Sequence, residues 1–288
     1  MKRFNKITII GVGLIGGSIG LAIKKRKLAK EVVGVFRRAS TLRRALKCKA
    51  IDRGTQDISD GVKGADLVII ATPVSMIPAI ASEVIKIAKR GCIITDAGST
   101  KGWIVGKIEK MVSRRSDIYF VGSHPMAGSE KAGVEAATPE LLKSAACIVT
   151  KTPRTPPGAL RVVTGLWKAL GARVSVMSPS EHDRSVSFIS HLPHMMAFGL
   201  AGSVGLADLK YAAEGFRDTT RVASSDPKLW ADIFLTNRIE IIASSRAFEM
   251  NLKRILTALR KGDRPSMISL LANAKVKRDK LSNEKKKN

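Results

Sequence analysis

Short apolar runs alternate with stretches that are apolar at helical spacing through the first ~180 residues of the chain. ITIIGVG at 7–13, EVVGVF at 31–36, ADLVIIATP at 65–73, GCIITDAGS at 91–99 and YFVGSHPM at 119–126 predict strands. The run at 65–73 is apolar without alternation, as expected of a strand covered on both faces. Strands separated by helical patterns predict parallel β-α units. ACIVTK at 146–151 and ARVSVMS at 172–178 are expected as later strands of the same sheet, with TPRTPPG at 152–158 a loop by composition.

The pattern changes beyond Pro179, where strand-like runs disappear. Residues 180–204 predict a long helix entered through Ser180, with Glu181 in its first turn. Asp226-Pro227 is a strong helix start, an N-cap followed by proline at the first helical position. Apolar positions at Leu229, Ile233, Phe234, Ile241 and Ile242 carry that helix to about Leu259, and Asp263-Arg264-Pro265 opens another short one. The expected fold class is α/β: a Rossmann-type doubly wound parallel sheet at 1–179, then an all-helical domain at 180–288 ending in a basic tail at 275–288.

Composition fits that picture and narrows the function. The 288 residues are 44% hydrophobic and 26% charged, which suits a globular chain of two domains. No apolar run is long enough for a membrane span, and the basic start before ITII lacks a signal-peptide cleavage pattern, so a cytoplasmic protein is expected. Cys48, Cys92 and Cys147 are far apart and form no C-x-x-C, which points to reduced, buried thiols and to no metal site. The net charge is +26, of which the tail carries +5. That excess suits anionic ligands, yet no nucleic-acid motif accompanies it and aromatic residues are 5%, so it is read as a solvated basic surface.

The candidate chemistry lies at strand ends. Gly11-Val12-Gly13-Leu14-Ile15-Gly16 matches G-x-G-x-x-G between the first strand and its helix, the context in which such a loop binds a pyrophosphate. A carboxylate for the ribose 2′-hydroxyl of NAD is expected about 20 residues further on. Arg37 and Arg38 stand there instead, followed by Ser40 and Thr41, which favours a 2′-phosphate and hence NADP over NAD. Ser99 and His124 fall at the carboxyl ends of two successive strands, where a histidine can take a proton from a substrate hydroxyl. His191 and His194 share one helix face, without a carboxylate pattern for a metal. Arg217 or Arg221 is available to hold a substrate carboxylate.

Together these segments resemble the prephenate/arogenate dehydrogenase family. GVGLIGGS at 11–18, ATPV at 71–74, TDAGSTKG at 95–102, GSHPMAGSEKAG at 122–133, SHLPHMMAF at 190–198 and GFRDTTRVASSDPKLWADIFLTN at 215–237 occur in the family's order. The resemblance implies oxidative decarboxylation of prephenate or L-arogenate by a homodimer whose helical half forms much of the interface. It implies His124 as the acceptor for the ring hydroxyl proton and Ser99 as its orienting partner. It further implies His194 as a pocket residue, Arg221 on the side-chain carboxylate, Ser129 and Glu130 at the entrance and Trp230 nearby. The dinucleotide is expected on Gly11, Gly13, Leu14, Ile15, Gly16, Arg37, Arg38 and Ser40, and on Thr72 and Pro73 of ATPV. Neither a chorismate mutase segment before the first strand nor an amino-acid-sensing segment after the last helix is expected.

Two other readings stand beside this one. A β-hydroxyacid-type dehydrogenase shares the glycine loop and the helical half but has no need of SHLPH or FRDTTR. A nucleic-acid-binding Rossmann regulator has no reason to keep His124 with Ser99. Between prephenate and arogenate the residues leave the choice open, with Glu130, Asp218, Asp226 and Asp232 as candidates to meet arogenate's ammonium group.

Overall fold

The computed structural model describes residues 3–128 and 132–286. Up to Arg238 the chain forms one compact unit; residues from Ile239 onward form a second.

The first unit starts with β1 (Phe4–Ile10), α1 (Leu14–Lys25), β2 (Ala29–Val35), α2 (Ala39–Lys47), β3 (Arg53–Thr55) and the short α3 (Ile58–Val62). β4 (Leu67–Ile70), α4 (Ile77–Ile87), β5 (Ile93–Asp96), α5 (Gly102–Val112) and β6 (Tyr119–Val121) complete a six-stranded parallel sheet of order β3-β2-β1-β4-β5-β6. The strands read as apolar runs because both faces are covered. Ile7, Ile9, Leu67 and Ile69 pack with Ile19 and Ile23 of α1, while Ile10, Val68 and Ile70 pack on the other face with α4 and α5. Strand order reverses between β1 and β4, the place where such sheets bind ligands.

The chain then leaves the sheet. β7 (Ser123–Pro125), β8 (Ala146–Thr150), α6 (Pro157–Ala169) and β9 (Arg173–Met177) follow, and the three strands form a separate sheet of order β7-β8-β9. The expectation of one sheet is therefore corrected. YFVGSHPM is broken at Gly122: β6 runs parallel to β5, whereas β7 pairs antiparallel with β8. A Cβ at Gly122 would lie 2.6 Å from Thr150 Oγ1, so the two segments approach too closely there for a side chain.

The helical segment begins at α7 (Pro179–Val186), capped by Ser178 and Glu181 in a reciprocal capping box, so the cap is Ser178 and not Ser180. A π-helical turn (Ser187–His191) joins it to α8 (Leu192–Gly202). Pro193 lacks the N–H that regular α-helix would require, and the widened turn lies just before it. α9 (Glu214–Thr220) and α10 (Pro227–Thr236) follow, the latter capped by Asp226 as expected. The helix does not continue to Leu259, since α10 ends at Asn237 and α11 (Arg238–Lys261) starts afresh. α12 (Arg264–Lys286) is long, not short, and most of the basic tail belongs to it.

Cys92 and Cys147 are buried and Cys48 half-buried, all without a disulfide. Burial pushes the Cys92 thiol up to about 12, which leaves it unreactive. Among the described residues no helix is long and apolar enough to cross a membrane.

Candidate active site

A cavity of about 610 Å³ opens over the carboxyl ends of β1, β2 and β4. Gly11, Gly13, Arg37, Arg38, Thr72 and Pro73 line it, together with Thr41 and Gln56. Leu14 and Gly16 stand in the first turn of α1, and Ser40, on α2, is absent from the lining. Gly11 has φ +92°, and a Cβ there would lie 2.7 Å from the Ala71 carbonyl oxygen. A Cβ at Gly16 would lie 2.1 Å from the Gly11 carbonyl oxygen. The loop is thus pressed directly under the helix, while the space beside Gly13 is open. α1 begins without a side-chain cap, so its first N–H groups remain available to an anion. Among the described residues neither Arg37 nor Arg38 takes a carboxylate partner, and Glu83 of α4 is the one acid on the cavity wall.

A second cavity, of about 420 Å³, is lined by Ile15, Ser99, His124 and Met126 and, from the helical segment, by Ser190, His191, His194, Arg221 and Trp230. The loop that carries Ser99 is flanked by a fully buried ion pair, Lys101 Nζ with Asp96. Such a pair costs desolvation unless its remaining valences are met. Here Asp96 also accepts from Gly98 N at 2.9 Å and Ser123 N at 3.1 Å. These bonds fix the loop that carries Ser99 and the strand that carries His124.

Behind His124 stands a second histidine. His124 Nδ1 lies 2.8 Å from His182 Nε2, and His182 Nδ1 lies 2.7 Å from Asp183 Oδ1. Asp183 in turn accepts from the backbone N–H of Lys101 at 2.7 Å and of Gly102 at 2.8 Å, at the start of α5. A carboxylate only accepts, so His182 carries its proton on Nδ1. His182 Nε2 must then accept from His124 Nδ1–H, which leaves a lone pair on His124 Nε2. Burial, followed by the charges of His182, Lys101 and His191, holds the His124 pKa well below the usual histidine range. His124 is therefore a neutral base with a fixed tautomer.

On the same cavity, His194 stacks on Trp230 with ring centroids 3.6 Å apart and bonds the Ser190 carbonyl through Nδ1 at 2.9 Å. Burial lowers its pKa, and Arg221 adds to the effect. α10 is tied to the sheet by a 3.1 Å bond from Thr100 Oγ1 to Thr236 Oγ1 and by Ser75 with Asp232.

These arrangements match two family models. Residues 19–176 fit the nucleotide-binding domain of prephenate dehydrogenase, and residues 178–273 fit its dimerization domain. The chain belongs to the prephenate dehydrogenase family. It is 38% identical to prephenate dehydrogenase of Bacillus subtilis (strain 168) over 282 residues, 96% of this chain and 76% of that protein. It is 35% identical to cyclohexadienyl dehydrogenase of Zymomonas mobilis, over 91% of each chain. Among solved structures, prephenate dehydrogenase from Aquifex aeolicus in complex with hydroxyphenyl propionate and NAD+ superposes with a TM-score of 0.89 at 31% identity, covering 96% of this chain and 98% of that one.

For this member of the prephenate dehydrogenase family, the sequence candidates sort by cavity. Ser99, His124, His194, Arg221 and Trp230 share the second cavity, with Ile15 at its edge. Arg217 does not reach it and bonds the Ala212 carbonyl at 3.3 Å. Asp218, Asp226 and Asp232 are absent from its lining, and Ser129 and Glu130 lie outside the described residues. Sequence reasoning missed His182, Asp183, Lys101 and Asn237. The adjacent His182-Asp183 pair, in a chain with four histidines, was the available signal.

Proposed function

We propose that the chain catalyses the oxidative decarboxylation of prephenate, with L-arogenate as its alternative substrate and NADP preferred over NAD. The observation that carries this reading is the second cavity, which brings a fixed neutral base together with Arg221 and His194. A base together with a cation and a histidine in one cavity suits a cyclohexadiene ring that carries both a hydroxyl and carboxylates.

His124 Nε2 takes the hydroxyl proton, and Ser99 orients the same hydroxyl. Arg221 holds the side-chain carboxylate by charge-assisted hydrogen bonds, and Trp230 with His194 forms the wall beside it. Asp183 steadies the imidazolium through His182. The dinucleotide fits the first cavity: the positions where Gly11 and Gly16 exclude a Cβ and the open space at Gly13 make a cradle for a pyrophosphate. Bound there, the oxidised nicotinamide supplies the hydride acceptor. Loss of carbon dioxide makes the ring aromatic, so the residues need chiefly to position the substrate and accept the proton.

We further infer a cytoplasmic homodimer, divided at 179/180 into a dinucleotide-binding half and a substrate and dimerisation half. The meeting of the two family models at residues 176 and 178, and the name of the second, support this division. The test is the initial rate with prephenate and with L-arogenate, each with NADP and with NAD. Turnover of prephenate with release of carbon dioxide is expected; no turnover of either substrate with either dinucleotide overturns the reading. Light scattering at micromolar concentration reads the assembly.

A further inference from the structure

Asn237 ends α10 with its side chain buried. Its Nδ2 lies 2.9 Å from the Asp183 carbonyl oxygen and 3.1 Å from His191 Nδ1. A backbone carbonyl only accepts, so the atom facing it must be the amide nitrogen and not the amide oxygen. That nitrogen has only protons to offer, so His191 Nδ1 accepts. A neutral imidazole that accepts at Nδ1 carries its proton on Nε2. Burial pushes the His191 pKa down to about 4, so the ring is neutral around pH 7. Its Nε2–H is buried and meets no partner among the described residues, although His191 lines the second cavity. A buried donor without a partner is costly, and binding sites are where such a cost is recovered from a ligand.

The charges that act on each histidine link His191 to both of the other cavity histidines. His182, Lys101 and His191 act on His124, whereas Arg221 acts on His194. His191 acts on His124, while His194 acts on His191 and the Trp230 ring stands 6.1 Å from it, so His191 lies between His124 and the His194–Trp230 pair.

We infer that the Nε2–H of His191 donates to the oxygen on the reacting ring carbon, the same oxygen whose proton His124 takes. The inference rests on the reading of the site as one for prephenate or arogenate. That oxygen gives its proton to His124 Nε2 while the hydride on its carbon would pass to the oxidised nicotinamide, and the oxygen becomes that of a carbonyl. The bond from the ring to the carboxylate then breaks. Carbon dioxide departs, and the electron pair of that bond moves through the ring onto the oxygen. The resulting phenolate regains its proton from His124. Negative charge thus arrives on the oxygen that faces His191, where a neutral imidazole N–H stabilises it. Asn237 is the positioning residue that fixes the tautomer.

The test uses the full chain and two probes, 3-(4-hydroxyphenyl)propionate and 3-phenylpropionate, titrated calorimetrically with and without the dinucleotide. The wild type is expected to bind the hydroxylated probe more tightly. His191→Leu should reduce that preference by about tenfold. His191→Gln, whose amide NH₂ reaches the Nε2 position, should retain it and should keep most of the turnover that His191→Leu loses. An undiminished preference in His191→Leu overturns the inference and leaves the site reading intact. Binding of neither probe by the wild type overturns the site reading and the inference with it. If His191→Leu does not fold, the ¹⁵N spectrum of the wild type decides. A proton on Nε2 that responds to the hydroxylated probe alone supports the inference, and a proton on Nδ1 overturns it.

Discussion

His182 Nε2 meets His124 Nδ1 at 2.8 Å, and this contact determines which nitrogen of His124 keeps its lone pair. Because Asp183 occupies the other side of His182, the proton order along the three residues has one solution, with the lone pair of His124 on Nε2. The logic is that of the serine-protease triad, in which a carboxylate selects the tautomer of the base. In this chain a second imidazole lies between them.

His182→Phe removes the acceptor from His124 Nδ1 and frees the ring to adopt the tautomer with its proton on Nε2. Turnover is expected to fall by about 10²–10⁴-fold, the usual size of a general-base contribution, with dinucleotide affinity unchanged. His182→Gln places an amide oxygen where Nε2 was and should recover much of the loss. His124→Asn should lose a similar factor with no rescue. Steady-state kinetics together with ¹⁵N shifts of His124 check this, and a His182→Phe enzyme with normal turnover excludes the tautomer argument.

With Arg221 in its proposed role, Arg221→Ala leaves the substrate carboxylate without its guanidinium. Loss of a charge-assisted hydrogen bond costs about 1.5–3 kcal/mol, which corresponds to a rise of roughly 10- to 100-fold in KM with a smaller change in kcat. Arg217→Ala should change neither, since Arg217 does not line the cavity. An Arg221→Ala enzyme with unaltered KM assigns the carboxylate to another residue.

Stability should depend on pH through His191. Its folded pKa is lowered from 6.5 to about 4 by burial, so the unfolded chain binds the proton more readily. Its contribution is full above pH 6.5, is lost as pH falls toward 4, and is worth roughly 3 kcal/mol across that window. His124 and His182, lowered in the same direction, add to the loss. Denaturant midpoints between pH 4 and 7.5 measure it, and His191→Gln should flatten the slope. A slope identical to that of the wild type would exclude His191 as a source.

What the sequence disclosed follows how local each constraint is. Gly11 and Gly16 were legible because their constraint lies in the loop's own backbone, and Asp226 because a cap is read from two adjacent residues. The apolar runs of β8 and β9 predict strands but not the sheet they join, since an apolar run says that a segment is buried and not which edge it pairs with. Asn237 was hidden because the apolar spacing of α10 continues into α11 across the break. His182 was overlooked because its partner lies 58 residues away and its role exists only once β7 and α7 are packed together.

The proposed preference for NADP rests on the end of β2. Phe36 is followed by Arg37 and Arg38, both on the wall of the first cavity, where an NAD site would place a carboxylate. Such a carboxylate holds the ribose 2′-hydroxyl and repels a 2′-phosphate; with arginines there, the local charge is reversed. Thr41, which lines the cavity where Ser40 does not, adds a hydroxyl donor. The acid on this wall among the described residues is Glu83, which stands on α4 and not on β2. One charge-assisted contact to phosphate is worth about 1.5–3 kcal/mol, so a single arginine favours NADP by roughly tenfold or more. Arg37→Asp should therefore reverse the preference by restoring the carboxylate and removing a phosphate ligand in one step. The measurement is kcat/KM with each dinucleotide, for the wild type and for Arg37→Asp. Equal efficiencies or an NAD preference in the wild type would mean that Glu83, and not the arginine pair, meets the ribose. Glu83→Gln would then be the variant that loses NAD.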